Sequence, residues 1–192
     1  MKKLLLAITI VAAGFTVNAQ EEVKGGFSKK DIYISGTVGY SNVSTGDVDA
    51  SGYTLSPSVG YFVSDKIALE LGLVIGSSDN TTTKTNSFGA SLGANYFFTP
   101  SKDFSFILGA GLGYSSTGSE LLGVDQPDVN TFTIAVAPGI NYFVSKSLAL
   151  RATVGALSYS SSKLDVNGAK STNTFGLNLN LSDVNFGLTY KF

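Results

Sequence analysis

The sequence predicts an all-β fold, an eight-stranded antiparallel up-and-down β-barrel that crosses a membrane. Three observations predict this fold. Apolar residues alternate with small or polar residues from residue 31 onward, short and long connections alternate along the chain, and aromatic residues mark both ends of the apolar face. Alternation with a period of two is the pattern of a β-strand. The predicted barrel domain covers residues 31–192.

The first 19 residues are predicted to be a secretory signal peptide. Two lysines make the start positive, and Leu4 to Val17 is uncharged and largely apolar. Ala19 and Gln20 are the residues on either side of the expected cleavage site. A membrane anchor is the alternative, but this stretch is shorter than the ~20 residues that a spanning helix needs. We expect residues 20–30 to form a flexible periplasmic lead-in.

Eight segments carry the pattern of a strand. In the third, Ile67 to Ile75 places Ile or Leu at every odd position, with mostly small or polar residues between them. The fifth and sixth segments repeat this pattern over residues 104–115 and 132–144. The other strands are predicted near residues 31–42, 51–63, 86–98, 147–160 and 174–192. No stretch of the mature chain shows a convincing helical period.

The eighth segment changes parity. Its apolar residues stand at odd positions up to Leu181 and at even positions from Val184, so the change falls at Ser182 and Asp183. A β-bulge within one long strand would explain the change, because a bulge turns the following side chains to the other face. A tight turn that creates a ninth strand is the alternative. We favour the bulge, because a ninth strand would place the C-terminus on the wrong side of the membrane.

The connections are predicted to alternate in length, as in outer-membrane barrels. Short turns are expected at residues 64–66, 99–103 and 145–147, and longer polar loops at residues 43–50, 78–86, 116–130 and 161–172. A repeated Tyr-Phe motif enters each short turn, and a lysine follows within the turn. The copies are Gly60–Ser64, Asn95–Thr99 and Asn141–Ser145. The repeating unit is therefore a hairpin.

The composition of the two faces predicts that the apolar face meets lipid. The other face consists mainly of Gly, Ser, Thr and Asn, whereas a water-exposed surface would carry Lys and Glu. Two aromatic girdles bound the apolar face: Tyr61, Tyr96, Tyr142 and Tyr190 beside the short turns, and Tyr40, Tyr53, Phe88, Tyr114 and Phe132 beside the longer loops. Their spacing along tilted strands gives a height of ~20 Å, close to the ~25 Å apolar band of such barrels. A soluble secreted barrel is the alternative, in which the aromatic residues are simply enriched in strands.

The C-terminal run resembles the terminal signature of Gram-negative outer-membrane barrels. Phe186, Leu188, Tyr190 and Phe192 occupy the alternate positions of that signature. With the signal peptide and the strands, the whole chain resembles the small barrels grouped with OmpX and the membrane domain of OmpA. The resemblance implies a place in the cell outer membrane, in contact with its lipid. It also implies recognition by the barrel-assembly machinery during biogenesis, and we expect a monomer.

The composition lacks the residue types that most often act in catalysis and metal binding. The chain has no Cys and no His, and its net charge of −1 argues against a nucleic-acid surface. A Ser–Lys or paired-carboxylate site remains formally possible, but no spacing selects one. The segment that starts at Asp47 resembles a calcium loop, yet its twelfth position is Ser58 rather than Glu. We expect no enzyme activity, no cofactor and no metal site.

Two charged residues, Glu70 and Arg151, are predicted to point into the barrel at mid-strand. They lie on the third and seventh strands, which face each other across an eight-stranded barrel. An ion pair across the lumen would offset the cost of burying each charge. Two separately hydrated charges in a wet lumen are the alternative.

The function that the sequence favours is a structural or surface-interaction component of the outer membrane. Its polar loops, especially residues 116–130, would face outward toward a surface ligand. A narrow porin-like channel for ions or small solutes is the alternative, because Gly, Ser and Thr line the interior. Side chains usually fill an eight-stranded barrel, so the channel ranks second.

Overall fold

The computed structural model describes residues 25–45, 48–178 and 184–192, and all of their regular structure is β-strand. The ten segments are β1 (Ile32–Thr45), β2 (Val48–Phe62), β3 (Ile67–Asn80), β4 (Thr83–Phe97), β5 (Phe104–Leu121), β6 (Val124–Phe143), β7 (Leu148–Val154), β8 (Ala156–Leu164), β9 (Thr172–Asn178) and β10 (Val184–Lys191). The signal peptide and its cleavage site at Ala19 and Gln20 lie outside the described residues. No described helix is long and apolar enough to cross a membrane.

The segments form eight wall strands, which confirms the predicted antiparallel barrel. Each of β1 to β6 pairs with the next strand in the chain, β6 pairs with both β7 and β8, and all pairings are antiparallel. The ring closes where β1 pairs with β10, from Tyr33 opposite Lys191 to Gly36 opposite Leu188. The interior of this ring is the lumen.

The seventh wall strand consists of β7 and β8, which meet at a bulge. Gly139 of β6 is opposite Thr153, whereas Val136 is opposite Leu157, so β7 and β8 contain one extra residue between these pairs. Gly155 supplies the positive φ of 63° at this point. The outward face therefore changes from even to odd positions, which the predicted uniform strand over residues 147–160 lacked.

The eighth wall strand consists of β9 and β10. β9 pairs with β8 and β10 pairs with β7, each antiparallel. Because β7 and β8 run in one direction, β9 and β10 do so too, which rules out a hairpin between them and with it the ninth strand. The bulge predicted at Ser182 and Asp183 lies outside the described residues.

Three of the four predicted long loops are largely strand, so that part of the prediction was wrong. β3 and β4 are joined by residues 81–82, and β5 and β6 by residues 122–123. Beyond the lipid band both faces of a hairpin can be polar, and continued pairing satisfies the backbone hydrogen bonds. Among the described residues, only the connection at 165–171 is an extended loop. We call this the loop end, and the opposite end, with the turns at 63–66, 98–103 and 144–147 and with Phe192, the turn end.

The outer face carries the aromatic residues of both predicted girdles, and all nine are exposed there. Tyr40 is opposite Tyr53, and Tyr114 is opposite Phe132, so these pairs form one band toward the loop end. The four residues of the C-terminal signature, Phe186, Leu188, Tyr190 and Phe192, are also exposed. The buried core instead lies inside the barrel at the turn end.

Candidate functional site

A network of four side chains crosses the lumen, and Glu70 is its centre. The Oε2 atom of Glu70 accepts hydrogen bonds from the Tyr33 hydroxyl at 2.6 Å, from Asn95 Nδ2 at 2.9 Å and from Arg151 Nη1 at 2.8 Å. The donors come from β1, β4 and β7, so the network joins opposite walls of the barrel. The structure thus brings together the two charges that the sequence placed inside the barrel.

Arg151 is packed against aromatic rings as well as against a carboxylate. Its Cζ atom lies 5.0 Å from the centre of the Tyr33 ring and 5.7 Å from that of Phe97. The Arg151 side chain is 11% exposed and that of Glu70 is 20% exposed, so the pair is largely shielded from solvent. The carboxylate and the two rings offset part of the cost of burying the guanidinium, whose Nε and Nη2 atoms have no hydrogen-bond partner among the described residues.

Tyr33 reaches Glu70 because residue 60 is a glycine. A Cβ atom at Gly60 would overlap the Tyr33 ring. Gly60 and Asn95 hold the same position in two copies of the Tyr-Phe repeat, and Asn95 binds Glu70 directly. Sequence reasoning missed Tyr33 and Asn95 as partners of Glu70, although the repeat contained a usable signal, since it places a small or amide residue on the inner face.

An aromatic cluster lies on the turn-end side of this network. Each copy of the repeat contributes its phenylalanine: Phe62, Phe97 and Phe143 are all buried inside the barrel, while the preceding tyrosine faces outward. Phe27, which precedes the first strand, fills the space between them. The centre of its ring lies 4.7 Å from that of Phe62, 4.9 Å from that of Phe143 and 5.4 Å from that of Phe97. Only 1% of Phe27 is exposed.

Polar contacts hold the segment that carries Phe27. The Phe27 amide donates to the Pro100 carbonyl at 2.6 Å, the Gly25 amide donates to Asp103 Oδ1 at 2.6 Å, and Lys191 Nζ donates to the Gly26 carbonyl at 2.6 Å. Residues 25–27 of the expected flexible lead-in are therefore packed into the barrel. The physical reason is Phe27, the one aromatic residue of that segment, whose ring completes the cluster.

A cavity of about 450 Å³ lies on the loop-end side of Glu70 and Arg151, which line its floor. Its walls are formed mainly by small inward residues, among them Ser58, Gly72, Ser91, Gly109, Ala135 and Thr153. Nearer the loop end, the inward positions of β3 to β6 carry Gly, Ser, Thr and Val. The lumen is therefore a cup that is hollow above the network and filled below it.

The described residues contain no cluster of three or more acidic side chains suited to a metal ion. Asp47, the first residue of the calcium-like segment, lies outside the described residues, and Asp49 pairs through its backbone with Ser44 in the β1–β2 hairpin. The lumen has a polar floor, walls of small side chains and, on the turn-end side of the floor, a cluster of aromatic rings.

Solved structures of several outer-membrane proteins resemble this barrel. Neisserial surface protein A has a TM-score of 0.53 and 20% identity, with 84% of this chain and 97% of that chain covered. The N-terminal barrel of Pseudomonas aeruginosa OprF has a TM-score of 0.54 and 16% identity, covering 86% of this chain and 100% of that chain. For OprG of the same organism the TM-score is 0.55 and the identity 15%, covering 89% and 99%. At such identities the likeness concerns the fold.

Comparison of sequences gives the family. A search among curated proteins found no match. The family model described as the outer membrane protein beta-barrel domain matches residues 7–192, which is nearly the whole chain. The chain therefore belongs to the outer membrane protein beta-barrel domain family, and its place is the outer membrane.

Proposed function

We propose that the protein is a structural and surface-interaction component of the outer membrane, with a lumen that is closed to solutes, and that it is not an enzyme. The observation that carries this proposal is the burial of Phe27 among Phe62, Phe97 and Phe143 at the turn end. The Phe27 ring contacts the other three rings, and Phe62 contacts Phe97, which leaves little room for a hydrated ion. We place the turn end in the periplasm and the loop end at the cell surface.

The network above the cluster supports the same proposal. Glu70 and Arg151 bind each other, and Tyr33 and Asn95 donate to the same Glu70 oxygen, so the two opposite charges largely neutralise each other within the network. If the lumen is closed to solutes, the external surface is the part of the molecule that remains for interactions with other molecules.

A narrow channel is the second candidate, and the cavity of about 450 Å³ is the observation that favours it. Its small side chains leave a wide upper lumen, which a channel would need. Conduction would also require the Phe27 segment to leave the barrel. That step would break the three hydrogen bonds that hold residues 25–27.

Labelling of introduced cysteines tests the closed lumen. The chain has no native cysteine, so Ser91→Cys in the cavity wall and Lys146→Cys in an exposed turn each give a single thiol. In oriented proteoliposomes, a membrane-impermeant thiol reagent added at the turn end should label Lys146→Cys but not Ser91→Cys. Added at the loop end, it should label Ser91→Cys. Labelling of Ser91→Cys from both ends would establish a through-path and favour the channel.

A further inference from the structure

The hairpin of β5 and β6 ends in an exposed apolar tip. Leu121 and Val124 are register partners at the end of the hairpin, and Leu122 occupies the turn between them. Leu122 is 75% exposed, among the highest values for an apolar side chain in the described residues. Leu121, Leu122 and Val124 are all exposed and form one contiguous apolar tip.

The tip lies too far from the lipid band to anchor the barrel in its own membrane. Leu122 is eight residues beyond Tyr114, which belongs to the girdle near the loop end. At the rise of a tilted strand, this separation places the tip ~20 Å beyond that girdle. Residues 115–120 are polar or glycine on both faces of the strand, so the apolar tip is separated from the apolar band.

The backbone of the tip is strained. Leu122 has a φ of 52° and Gly123 a φ of 81°. Two-residue hairpin turns with both φ values positive strongly prefer Asn-Gly, because a side chain such as that of leucine is unfavourable in the left-handed region. Strain of this kind tends to cluster at functional sites. Leucine at position 122 therefore makes the turn less stable than asparagine would, and its side chain is exposed at the apex.

The charges beside the tip are also unfavourably placed. Glu120 is directly opposite Asp125, and like charges at opposite positions destabilise a sheet. Lys84 is the register partner of Glu120 on the other side, which leaves Asp125 at the edge of the row. Neither carboxylate belongs to an ion pair among the described residues. A cation supplied from outside would relieve this repulsion.

We propose that the β5–β6 tip is a docking site for a protein segment that presents aromatic or aliphatic side chains together with a Lys or Arg side chain. This inference rests on the proposed surface function. Leu121 and Val124 lie on one face of the hairpin and Asp125 on the other. The segment would therefore wrap the tip, with its apolar side chains over Leu122 and its basic side chain paired with Asp125. Anionic lipid headgroups would instead be repelled by the two carboxylates, so a protein fits better than a membrane. Three apolar side chains make a small contact, which is typical of weak and transient interactions.

Selection from a phage-displayed library of random peptides, with the full mature protein in nanodiscs as bait, tests this proposal. Enriched peptides should combine aromatic or aliphatic residues with Lys or Arg. A synthetic peptide of that sequence should bind at least about tenfold more weakly to Leu122→Asn. Asparagine suits the positive φ, so this variant keeps the turn. Asp125→Asn should weaken binding and its salt dependence, while Asn167→Ala in the 165–171 loop is the matched control and should bind normally.

Each other outcome overturns the proposal. Peptides that bind native protein and Leu122→Asn equally, or no enrichment, would show that the tip is not a protein-docking site. Vesicles of phosphatidylglycerol and phosphatidylethanolamine that bind native protein but not Leu122→Asn would indicate a membrane as partner. A dimer that Leu122→Asn dissociates would indicate a second copy. Conductance separates these failures from that of the proposed function, since a silent barrel without peptide binding contradicts only the docking site.

Discussion

The Tyr33 ring occupies the space that a side chain at residue 60 would fill, and Gly60 is the residue that makes this possible. The ring crosses from β1 toward β3, where its hydroxyl donates to Glu70 at 2.6 Å. It also lies 5.3 Å from the Phe27 ring, measured between ring centres. Tyr33 therefore joins the polar network to the aromatic cluster, and the two parts of the lumen floor depend on one glycine.

We expect Gly60→Ala to destabilise the barrel, because the new methyl group must displace the Tyr33 ring. Overpacking of this kind typically costs about 1–3 kcal/mol. The free energy of unfolding in urea, measured in lipid vesicles, checks the prediction. Gly176→Ala is the matched control, since a Cβ atom there would lie 3.5 Å from Ser158 Oγ, an ordinary contact. Equal stability of the two variants would contradict the close packing of Tyr33 against Gly60.

Arg151→Ala should lower the free energy of unfolding, because it leaves the buried Glu70 carboxylate without its positive partner. Only the two neutral donors, Tyr33 and Asn95, would remain. Removing one partner of a buried ion pair costs about 3–5 kcal/mol, and water in the cavity would lower this value. The double variant Glu70→Ala with Arg151→Ala should lose less than the sum of the single losses, because no lone charge remains. A double-mutant cycle on urea unfolding measures this coupling.

The cycle needs a control for the general effect of removing a cation. Lys102→Ala in an exposed turn serves this purpose, and its effect on the free energy of unfolding should stay within about 0.5 kcal/mol. Strictly additive losses at Glu70 and Arg151 would mean that the two charges act separately in a wet lumen.

Tyr33→Phe should separate the contribution of the hydroxyl to stability from that of the ring. The variant keeps the contacts with Phe27 and Arg151 but removes the donor to Glu70, and hydrogen bonds to charged groups contribute about 1.5–3 kcal/mol. Tyr61→Phe changes a hydroxyl on the outer face and should be nearly neutral. Thermal unfolding in detergent compares the two. If they behave alike, the Tyr33 hydroxyl contributes nothing to the floor.

Phe27→Ala should lower the free energy of unfolding by about 3–5 kcal/mol, as for other buried phenylalanines. The reason is the loss of a ring that contacts four others at the turn end. Lys29→Ala, two residues away and exposed, is the control. A neutral effect of Phe27→Ala would show that residues 25–27 are not packed in the membrane-embedded protein.

Much of this architecture could be predicted, because a period of two fixes which residues share a face of a strand. The parity of Ile67 to Ile75 showed which residues share a face, and the Gly, Ser, Thr and Asn content of the other face assigned lipid and lumen. The same alternation in the third and seventh strands placed Glu70 and Arg151 inside. Alternation also placed Phe143 on the inner face. Its contact with Phe27 could not be predicted, because it depends on how a segment outside the strands folds back into the closed ring.

Other features have no clear signal in a sequence. A hairpin that continues beyond the membrane is polar on both faces, so the extensions of β3 to β6 have the composition of loops. The bulge at Gly155 was hidden because the adjoining residue, Ala156, is also small, and small residues fit either face. Tyr33 was missed as a partner of Glu70 because it reaches across β2, over Gly60, to β3. Asn95 lies on the neighbouring strand β4, where the Tyr-Phe repeat was the usable signal.

Single-channel conductance in a planar bilayer shows whether the cluster of Phe27, Phe62, Phe97 and Phe143 closes the lumen. The full mature protein, with insertion verified by its heat-modifiable migration on gels, should leave the bilayer silent. A variant that lacks residues 20–27 is the informative comparison, because it removes Phe27 while the strands remain. Steady openings of the native protein, at the same frequency as those of the variant, would contradict closure of the lumen and identify the barrel as a channel.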